Sequence, residues 1–367
     1  MSFYDEYLKF KNLDFMSFFE KTTKSDVMRA INKDHLDKYD FLTLLSPAAQ
    51  DVLEEMAQKS HRLTIQNFGK TMKLFTPMYI ANHCVNKCSY CGFNVANDIV
   101  RKQLTLNEIE DQCKFISSTG LRHILILTGE SKQKTPVSYI TDAIKIIKKY
   151  FDSIAIEIYP LTEDEYKEVI AAGADSLTVY QEVYNEEIYD KVHISGPKKN
   201  YRFRLDAPER GCMAKMRGVN IGSLLGLDDW RKEAFFTGLH GEYLQNKYCD
   251  TEISISPPRI RPHVGSFSDI YPVNDIDLVQ IMLAIRLFLP RAGITISTRE
   301  DQNFRDNLIP LGVTKMSAGV STEVGGHSSE TKSDSQFEIS DKRSVEEIRK
   351  LLLTKRYQPV FKDWMHI

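Results

Sequence analysis

The chain has 367 residues, of which 42% are apolar and 27% are charged, and its formal net charge is −2. This balance is typical of a soluble globular protein and gives no surplus of positive charge for binding nucleic acid or an anionic membrane. No apolar run approaches the roughly 20 residues that a bilayer span needs. Residues 1–6 also lack a signal-peptide pattern, so we expect a cytoplasmic protein without nucleic-acid or membrane partners.

The first part of the chain is predicted to be helical. Phe41–Gln58 carries apolar residues at helical spacing, and Ser46-Pro47 is a suitable cap and first-turn pair. We therefore expect residues 1–74 to form an N-terminal helical extension.

From residue 75 onward, short β-prone runs alternate with amphipathic segments. Strands are predicted at Phe75–Asn82, His123–Thr128, Ile154–Tyr159, Ser176–Tyr180, Gly218–Ser223, Glu252–Ser256, Ile294–Ser297 and Thr314–Ala318. Helices are predicted at Leu106–Ser117, Ser138–Tyr150, Glu163–Ala172, Leu227–Gln245, Asp275–Leu289 and Arg305–Leu308. Such alternation predicts an α/β fold with a parallel sheet, most simply a closed (β/α)8 TIM-type barrel over residues 75–335. An open or partial barrel is the alternative.

The last part of the chain differs in composition. Val320–Asp341 is rich in Ser, Thr, Gly and charged residues, which predicts a long loop, either mobile or ordered over the barrel mouth. A further helix is predicted at Ser344–Lys355. We expect residues 336–367 to form a C-terminal helix and tail packed on the barrel.

Three of the six cysteines lie close together after the first predicted strand, where Cys84, Cys88 and Cys91 form a C-x3-C-x2-C motif. In a reducing compartment such a group predicts metal binding rather than disulfides. Thiolates ligate iron, and three of them leave one iron of a [4Fe–4S] cluster open to a small molecule. Zinc with His83 as a fourth ligand is the alternative, but His83 adjoins Cys84 and a second cysteine pair is missing.

The other cysteines, Cys113, Cys212 and Cys249, are predicted to be small buried apolar residues.

The cysteine motif, followed by Gly92-Phe93, resembles that of the radical S-adenosylmethionine (SAM) superfamily. The resemblance implies that the three cysteines hold the cluster and that SAM chelates its open iron. Reductive cleavage of SAM then gives methionine and a 5′-deoxyadenosyl radical. The resemblance also implies that Tyr90 lies near the adenine and that Phe93 belongs to the same cofactor site.

More cofactor residues are implied at the next strand ends. Thr128-Gly129-Glu130 resembles the Gly-Gly-Glu motif of this superfamily, in which glycine lets the backbone approach the methionine part of SAM and the carboxylate accepts from its amino group. Gln181 and Glu182 end the fourth predicted strand, where relatives place ribose-binding groups.

Arg204 matches the position of an arginine that pairs with the SAM carboxylate in biotin-synthase-like relatives, a role that suits the rigid guanidinium fork. The alternative for Arg204 is a solvated basic face. That is also our prediction for its neighbours Lys198, Lys199 and Arg202.

A closer resemblance runs over roughly residues 40–367. The segments that carry it are Tyr180-Gln-Glu, Gly196-Pro-Lys, Arg204-Leu, Ser256-Pro-Pro-Arg-Ile-Arg-Pro, Ser297-Thr-Arg-Glu and Phe361-Lys-Asp-Trp. Together they are similar to the radical SAM tyrosine lyases of thiamine biosynthesis. This implies cleavage of the Cα–Cβ bond of L-tyrosine to 2-iminoacetate and p-cresol, with 5′-deoxyadenosine and methionine as co-products. It also implies thiazole synthase as a partner and a flavodoxin or ferredoxin-type reductant.

Other functions stay open at this point. One is a radical SAM lyase for tryptophan or another aromatic amino acid. Another is the tyrosine lyase that matures [FeFe]-hydrogenase, which needs a second, C-terminal cysteine trio, whereas the last cysteine here is Cys249. A cluster-carrying scaffold without catalysis is a further alternative, and the cofactor residues Gly129, Glu130 and Arg204 argue against it.

Substrate residues are predicted at the remaining strand ends. Glu157 is a carboxylate in an apolar strand, which is costly to bury unless it is paired or functional. Arg299 is expected to hold the carboxylate of the amino acid, with help from the hydroxyl groups of Ser317, Ser321 and Thr322.

The segment after the sixth strand carries Arg259, Arg261 and His263. We expect these side chains to orient the substrate or to pair with Glu157. A rigid loop with surface arginines is the alternative.

Overall fold

The structure is a computed structural model that describes residues 2–265, 267–328 and 333–362. Its strands are β1 (Thr71–Ala81), β2 (Lys87–Cys88), β3 (His123–Thr128), β4 (Ser153–Glu157), β5 (Ser176–Glu182), β6 (His193–Ser195), β7 (Gly218–Ser223), β8 (Glu252–Ile255), β9 (Gly293–Ile296), β10 (Lys315–Ser317) and β11 (Gln358–Val360).

The helices follow the strands in the expected alternation. They are α1 (Phe3–Phe10), α2 (Phe15–Lys21), α3 (Lys24–Ile31), α4 (Lys38–Leu44), α5 (Leu53–Phe68), α6 (Leu106–Ser118), α7 (Val137–Ile147), α8 (Glu163–Ala172), α9 (Glu186–Val192), α10 (Tyr201–Leu205), α11 (Ala207–Met213), α12 (Trp230–Lys247), α13 (Asp275–Phe288), α14 (Gln302–Leu308) and α15 (Val345–Thr354). Short 3₁₀ helices cover Pro47–Val52, Pro197–Lys199 and Ile309–Leu311.

Eight parallel strands form a closed barrel in the order β1-β3-β4-β5-β7-β8-β9-β10, with β10 pairing back onto β1. This confirms the predicted (β/α)8 fold, and each predicted strand corresponds to one barrel strand. β1 begins at Thr71 rather than Phe75, because its first residues pair with β10 on one side and with β11 on the other. The strand β11 was not predicted from the sequence.

The helical N-terminal segment packs on the outside of the barrel through aromatic side chains. Phe3 of α1 stacks on His240 of α12 with ring centroids 4.0 Å apart, and Phe41 of α4 stacks on Phe288 of α13 at 4.4 Å. Side chains of Thr23 and Asp37 cap α3 and α4. The cap predicted at Ser46-Pro47 begins a 3₁₀ helix, and α5 follows it directly.

The interior of the barrel is less tightly filled and more polar than the usual layers of branched apolar residues. Thr178, Asn220, Ser254 and Thr295 face the cavities from four adjacent strands. The alternate residues of these strands, which include Val219, Ile221, Ile253 and Ile255, are buried in the apolar core. The polar wall therefore leaves room for a ligand inside the barrel.

The long segment after β10 contains no helix or named strand among its described residues and lies over the carboxyl end of the barrel. A buried ion pair between Asp341 and Arg305 holds it in place, and Arg305 also donates to the carbonyl oxygen of Ser317 at 2.5 Å. Of the two alternatives for this loop, the structure thus supports an ordered covering of the mouth.

Cys113 and Cys212 are buried, as predicted, but Cys249 is exposed. The prediction for Cys249 is wrong because α12 ends at Lys247, which places this cysteine in the turn before β8. Within the described part of the chain, no helix combines the length and apolar character needed to cross a bilayer.

Candidate active site

The cysteine motif forms a loop at the carboxyl end of β1. All three thiols are free, and Cys88 lies in the short strand β2, which pairs antiparallel with β6. Cys88 is buried and the other two are partly exposed. Burial raises the pKa of the Cys88 thiol to about 12, so iron binding at this cysteine must release a proton.

Two side-chain amides point at the cysteine sulfurs. Asn86 Nδ2 lies 3.8 Å from Sγ of Cys84, and Gln336 Nε2 lies 3.8 Å from Sγ of Cys91. Iron–sulfur sites use such N–H donors to stabilise ligating sulfurs. Among the residues that the structure describes, no three His, Cys, Asp or Glu side chains converge on a single ion. Three free thiols, two of them with amide donors at their sulfurs, fit the ligand set of a [4Fe–4S] cluster.

Tyr90 is held in one orientation by a buried histidine. Its hydroxyl lies 2.7 Å from Nε2 of His193, and Nδ1 of His193 lies 2.8 Å from the carbonyl oxygen of Tyr189. Because that oxygen can only accept, Nδ1 carries the proton and Nε2 accepts from Tyr90. Burial, reinforced by nearby Lys198, lowers the pKa of His193 to about 2, so the imidazole is neutral.

The end of β3 lies directly against the cysteine loop. A Cβ atom on Gly129 would overlap the carbonyl oxygen of His83, so only glycine fits there. The backbone oxygen of Glu130 accepts from Val85 N at 2.9 Å, and its carboxylate accepts from Asn86 Nδ2 at 2.6 Å. Gly129 and Glu130 thus lie beside the predicted cluster ligands.

Glu182 connects two buried cations at the end of β5. Its Oε1 accepts from Lys198 Nζ at 2.6 Å and from Arg204 Nη2 at 3.4 Å, and Arg204 Nε donates to the carbonyl oxygen of Tyr180 at 2.7 Å. Burial opposes ionisation of Glu182, but the two cations outweigh it and hold the pKa of this carboxyl below its usual range. Glu182 also has a φ of 72°, an unfavourable conformation for a side chain at this position.

The structure decides which residues of the predicted basic face are solvated. The side chain of Lys198 is 15% exposed, so the predicted solvated face is wrong for this residue, because Gly196 and Pro197 turn the chain inward toward Glu182. Arg204 is buried as well, which excludes the solvated alternative. Lys199 and Arg202 are solvated as predicted.

One cavity joins the cysteine loop to the interior of the barrel. Tyr90, Cys91 and Glu182 line its upper part. Of the predicted substrate residues, Glu157, Arg261, Arg299, Ser317 and Thr322 also line it. Cofactor and substrate residues therefore face the same space.

Glu157 faces this cavity from the end of β4. Burial, with the Glu182 carboxylate nearby, raises its pKa to about 7, although Arg299, Arg204 and Lys198 act in the opposite direction. Near neutral pH this carboxyl group is therefore divided between its neutral and ionised forms.

Arg299 is held over the aromatic ring of Phe337. The guanidinium carbon lies 3.5 Å from the ring centroid, and Nη1 donates to the carbonyl oxygen of Arg259 at 3.3 Å. The carbonyl oxygen of Phe337 accepts from Thr322 Oγ1 at 3.1 Å. Arg299 makes no ion pair within residues 2–265, 267–328 and 333–362, so its charge is available to a ligand in the cavity.

Several predicted residues lie outside the cavity wall. Arg259 pairs with Glu300 and with Asp275, and Ser321 accepts from the backbone N–H of Glu323 at 3.3 Å. His263 is partly exposed.

Two predicted cofactor residues are buried away from the cavity. Phe93 packs edge-on against Tyr79 with ring centroids 5.9 Å apart. Gln181 is buried, and neither side-chain amide atom has a hydrogen-bond partner in the described ranges. Neither residue lines the cavity.

Four residues that complete the site were not predicted from the sequence. Asn86 follows the first cysteine, Lys198 lies in the turn after β6, and Gln336 and Phe337 come from the segment over the mouth. The Gly196-Pro-Lys segment was noted as part of the resemblance, but no sequence pattern showed that its lysine points inward.

Comparison with known proteins agrees with this geometry. Residues 78–236 match the Radical SAM superfamily, and residues 256–358 match the Biotin and Thiamin Synthesis associated domain. The chain is 38% identical to 2-iminoacetate synthase from Salmonella typhimurium (strain LT2), over 93% of this chain and 91% of the relative. The 2-iminoacetate synthase of Escherichia coli (strain K12) is 37% identical over the same shares.

Among solved structures, the [FeFe]-hydrogenase maturase HydG superposes with a TM-score of 0.90 at 30% identity, covering 96% of this chain and 80% of the HydG chain. The cofactors of these enzymes are a [4Fe–4S] cluster and SAM, and the free cysteines with their amide donors fit the cluster. The sequence match over nearly the full length shows that the chain belongs to the 2-iminoacetate synthase family of radical SAM enzymes.

Proposed function

We propose that this chain cleaves the Cα–Cβ bond of L-tyrosine to 2-iminoacetate and p-cresol, with 5′-deoxyadenosine and methionine as co-products, and so supplies the thiazole part of thiamine. The observation that carries the proposal is the single cavity that extends from Cys91 and Tyr90 to Arg299 and Ser317. A substrate held by Arg299 is thereby placed next to the cofactor side of the same space.

The cofactor residues have distinct roles in this proposal. Cys84, Cys88 and Cys91 would hold the cluster, and the bound cluster and SAM supply the radical that starts the reaction. Gly129 and Glu130 would receive the methionine part of SAM beside the cysteine loop. Of the other predicted cofactor residues, Tyr90 would contact the adenine. Arg204 and Glu182 would contact the polar groups of SAM. Phe93 and Gln181 do not line the cavity and would pack against the residues that do.

The substrate residues act by binding and orientation. Arg299 offers a bidentate donor to the amino-acid carboxylate, and Ser317 and Thr322 offer hydroxyl groups at the neighbouring strand end. Glu157 faces the same cavity and is suited to accept from the substrate amino group. Burial of these groups excludes water, which protects a reactive species from quenching.

Arg259, Ser321 and His263 contribute less directly in this proposal. The ion pairs of Arg259 fix the backbone carbonyl oxygen that accepts from Arg299. Ser321 shapes the turn that presents Thr322, and His263 belongs to the segment at the rim.

An activity assay tests the function. Anaerobically reconstituted and reduced protein should form p-cresol and 5′-deoxyadenosine when given SAM and L-tyrosine, and should form no aromatic fragment from L-tryptophan. The variant Cys88→Ala should lose both products, whereas Cys249→Ala, at an exposed cysteine, should keep them. Cleavage of SAM without p-cresol would refute the tyrosine assignment.

We further propose a cytoplasmic location, thiazole synthase as the acceptor of 2-iminoacetate, and a flavodoxin or ferredoxin-type reductant. The three-part division into residues 1–74, 75–335 and 336–367 belongs to the same proposal. Support for direct transfer to a partner comes from the reactivity of an imine product, and support for a protein reductant comes from the partial exposure of Cys84 and Cys91.

A further inference from the structure

The barrel interior contains a lysine whose charge has no partner. Lys315 lies on β10, where it pairs in register with Lys73 of β1 and Thr295 of β9. Its ammonium group lies 4.8 Å from the centroid of the Phe75 ring. Within residues 2–265, 267–328 and 333–362, Lys315 makes no hydrogen bond or ion pair.

The other cations at this level of the barrel are paired. Lys73 lies 3.2 Å from Glu252, and Arg217 lies 3.2 Å from Asp175 and 3.1 Å from Glu252. Burial, together with the nearby cations Lys73 and Arg217, lowers the pKa of Lys315, and the carboxylates of Glu252 and Asp175 offset this only in part. Lys315 is only partly exposed, a cation enclosed without a partner is destabilising, and groups of this kind concentrate at functional sites.

Lys315 lies at the inner end of the catalytic cavity and also lines a second cavity toward the opposite end of the barrel. It precedes Ser317 by two residues on the same strand, which is a distance of about 6 to 7 Å along β10. Phe75, which pairs in register with Ser317, and Leu125, which pairs with Pro77, also line the cavity, on the carboxyl-end side of Lys315. The cavity thus has cations near both ends and apolar groups between them.

Polar side chains around this inner end form hydrogen bonds with one another. Ser254 Oγ donates to Asn220 Oδ1 at 3.0 Å, and Asn220 Nδ2 donates to Ser256 Oγ at 2.9 Å. Lys315 therefore remains as a charged donor without a hydrogen-bond partner among the described residues of this part of the cavity wall.

We propose that Lys315 donates a hydrogen bond to the phenol oxygen of the substrate and thereby sets the preference for L-tyrosine over L-phenylalanine. The proposal rests on the proposed function, because it requires tyrosine with its carboxylate at Arg299. The aromatic ring then lies beside Phe75 and Leu125, and its hydroxyl group points down the barrel.

Binding measurements without turnover test this role. The dissociation constants of L-tyrosine and L-phenylalanine are measured by equilibrium dialysis on reconstituted, SAM-bound, unreduced enzyme. For Lys315→Met we expect tyrosine to bind about 10- to 100-fold more weakly, as for loss of a hydrogen bond to a charged group. Phenylalanine binding should stay within about twofold, since it makes no such bond.

Lys73→Met is the matched control, because Lys73 lies next to Lys315 but lines only the second cavity. It should keep the preference for tyrosine. Lys315→Met should also melt at the same or a higher temperature than wild type, since it removes a charge that is enclosed in the barrel without an acidic partner. If this variant does not fold, Lys315→Gln provides the same comparison.

An unchanged ratio of the two dissociation constants in the Lys315 variants would overturn the proposal. Equal weakening of both amino acids would also overturn it, because Lys315 would then bind a group that both ligands share. Failure of the wild-type enzyme to form p-cresol would instead contradict the proposed function, so the two failures can be told apart.

Discussion

Gln336 donates its side-chain amide toward Sγ of Cys91 across 3.8 Å, while its Oε1 accepts from the hydroxyl of Tyr79 at 2.8 Å. The bond from Tyr79 fixes the orientation of the amide, because a hydroxyl that meets Oε1 must donate. Tyr79 and Gln336 both line the cavity. The wall of the substrate site is therefore connected to a predicted cluster ligand by two hydrogen bonds.

Replacing Gln336 should change the reduction potential of the cluster. An N–H donor to a ligating sulfur stabilises the reduced, more negative cluster, so Gln336→Leu should shift the midpoint potential to a more negative value. The measurement is a redox titration followed by electron paramagnetic resonance, with iron content as a check on cluster loading. Ser335→Ala is the control, and an unchanged potential in a fully loaded Gln336→Leu protein would contradict the assigned contact.

The raised pKa of Glu157 predicts a pH dependence of stability. Since its pKa rises from 4.5 to about 7 on folding, the neutral form is favoured in the native state. The resulting stabilisation is complete below pH 4.5 and is lost as the pH rises through 7. Compared with wild type, Glu157→Gln should therefore gain about 2 to 3 kcal/mol in free energy of unfolding between pH 5 and pH 8.

Urea denaturation at the two pH values measures this difference. Glu168→Gln, at an exposed carboxylate of α8, should show no comparable change. If the free energy of unfolding of Glu157→Gln differs from that of wild type by the same amount at both pH values, the raised pKa of Glu157 is contradicted.

Gly129→Ala should disturb the cysteine loop. The new methyl group would overlap the carbonyl oxygen of His83, which is backbone and cannot rotate away. We expect the iron content after reconstitution to fall by about half or more, because the loop must shift to relieve overpacking. In the control Gly211→Ala the methyl group would overlap only with the end of the flexible Leu177 side chain, and would lie in ordinary contact with Val219, so full iron content is expected there.

Asp341→Asn should destabilise the segment that covers the barrel mouth. Arg343 and Arg305 outweigh the effect of burial and lower the pKa of Asp341 to about 2. The ionised carboxylate of Asp341 therefore stabilises the folded protein fully above the ordinary pKa of 3.8, and this stabilisation is lost as the pH falls through 2. Breaking the buried pair with Arg305 should cost about 3 kcal/mol in free energy of unfolding at pH 7.

Asp306→Asn offers a milder comparison. Asp306 pairs with the same Arg343, but its side chain is 19% exposed, and its loss should cost about 1 kcal/mol or less. Equal melting temperatures for the two variants would show that the buried pair between Asp341 and Arg305 stabilises the protein no more than the partly exposed pair does.

The barrel was predictable because short β-prone apolar runs alternate along the chain with segments whose apolar residues recur at helical spacing. Glu163–Ala172 was predicted with the bounds that α8 has, and the predicted cysteine loop follows β1. The strands β2, β6 and β11 could not be predicted, because they are two or three residues long and are stabilised by partners far away in the chain.

The same limit applies to the active site. Arg299 and Glu157 could be identified because charged residues at strand ends stand out in an apolar pattern. The inward position of Lys198 depends on a turn whose direction is set by contacts with Asn86 and Glu182. Gln336 lies in a segment with no periodic pattern, so its contact with Cys91 could not be inferred.

The pairing of β2 with β6 also bears on the order in which the protein matures. Cys88 pairs in register with His193 of β6, and Sγ of Cys91 accepts from Gln336, which lies 245 residues further along the chain. During synthesis the three cysteines leave the ribosome long before these partners do. The surroundings of the cysteine loop are therefore completed only after Gln336 has been synthesised, and a cluster bound there can reach its final environment only after that point.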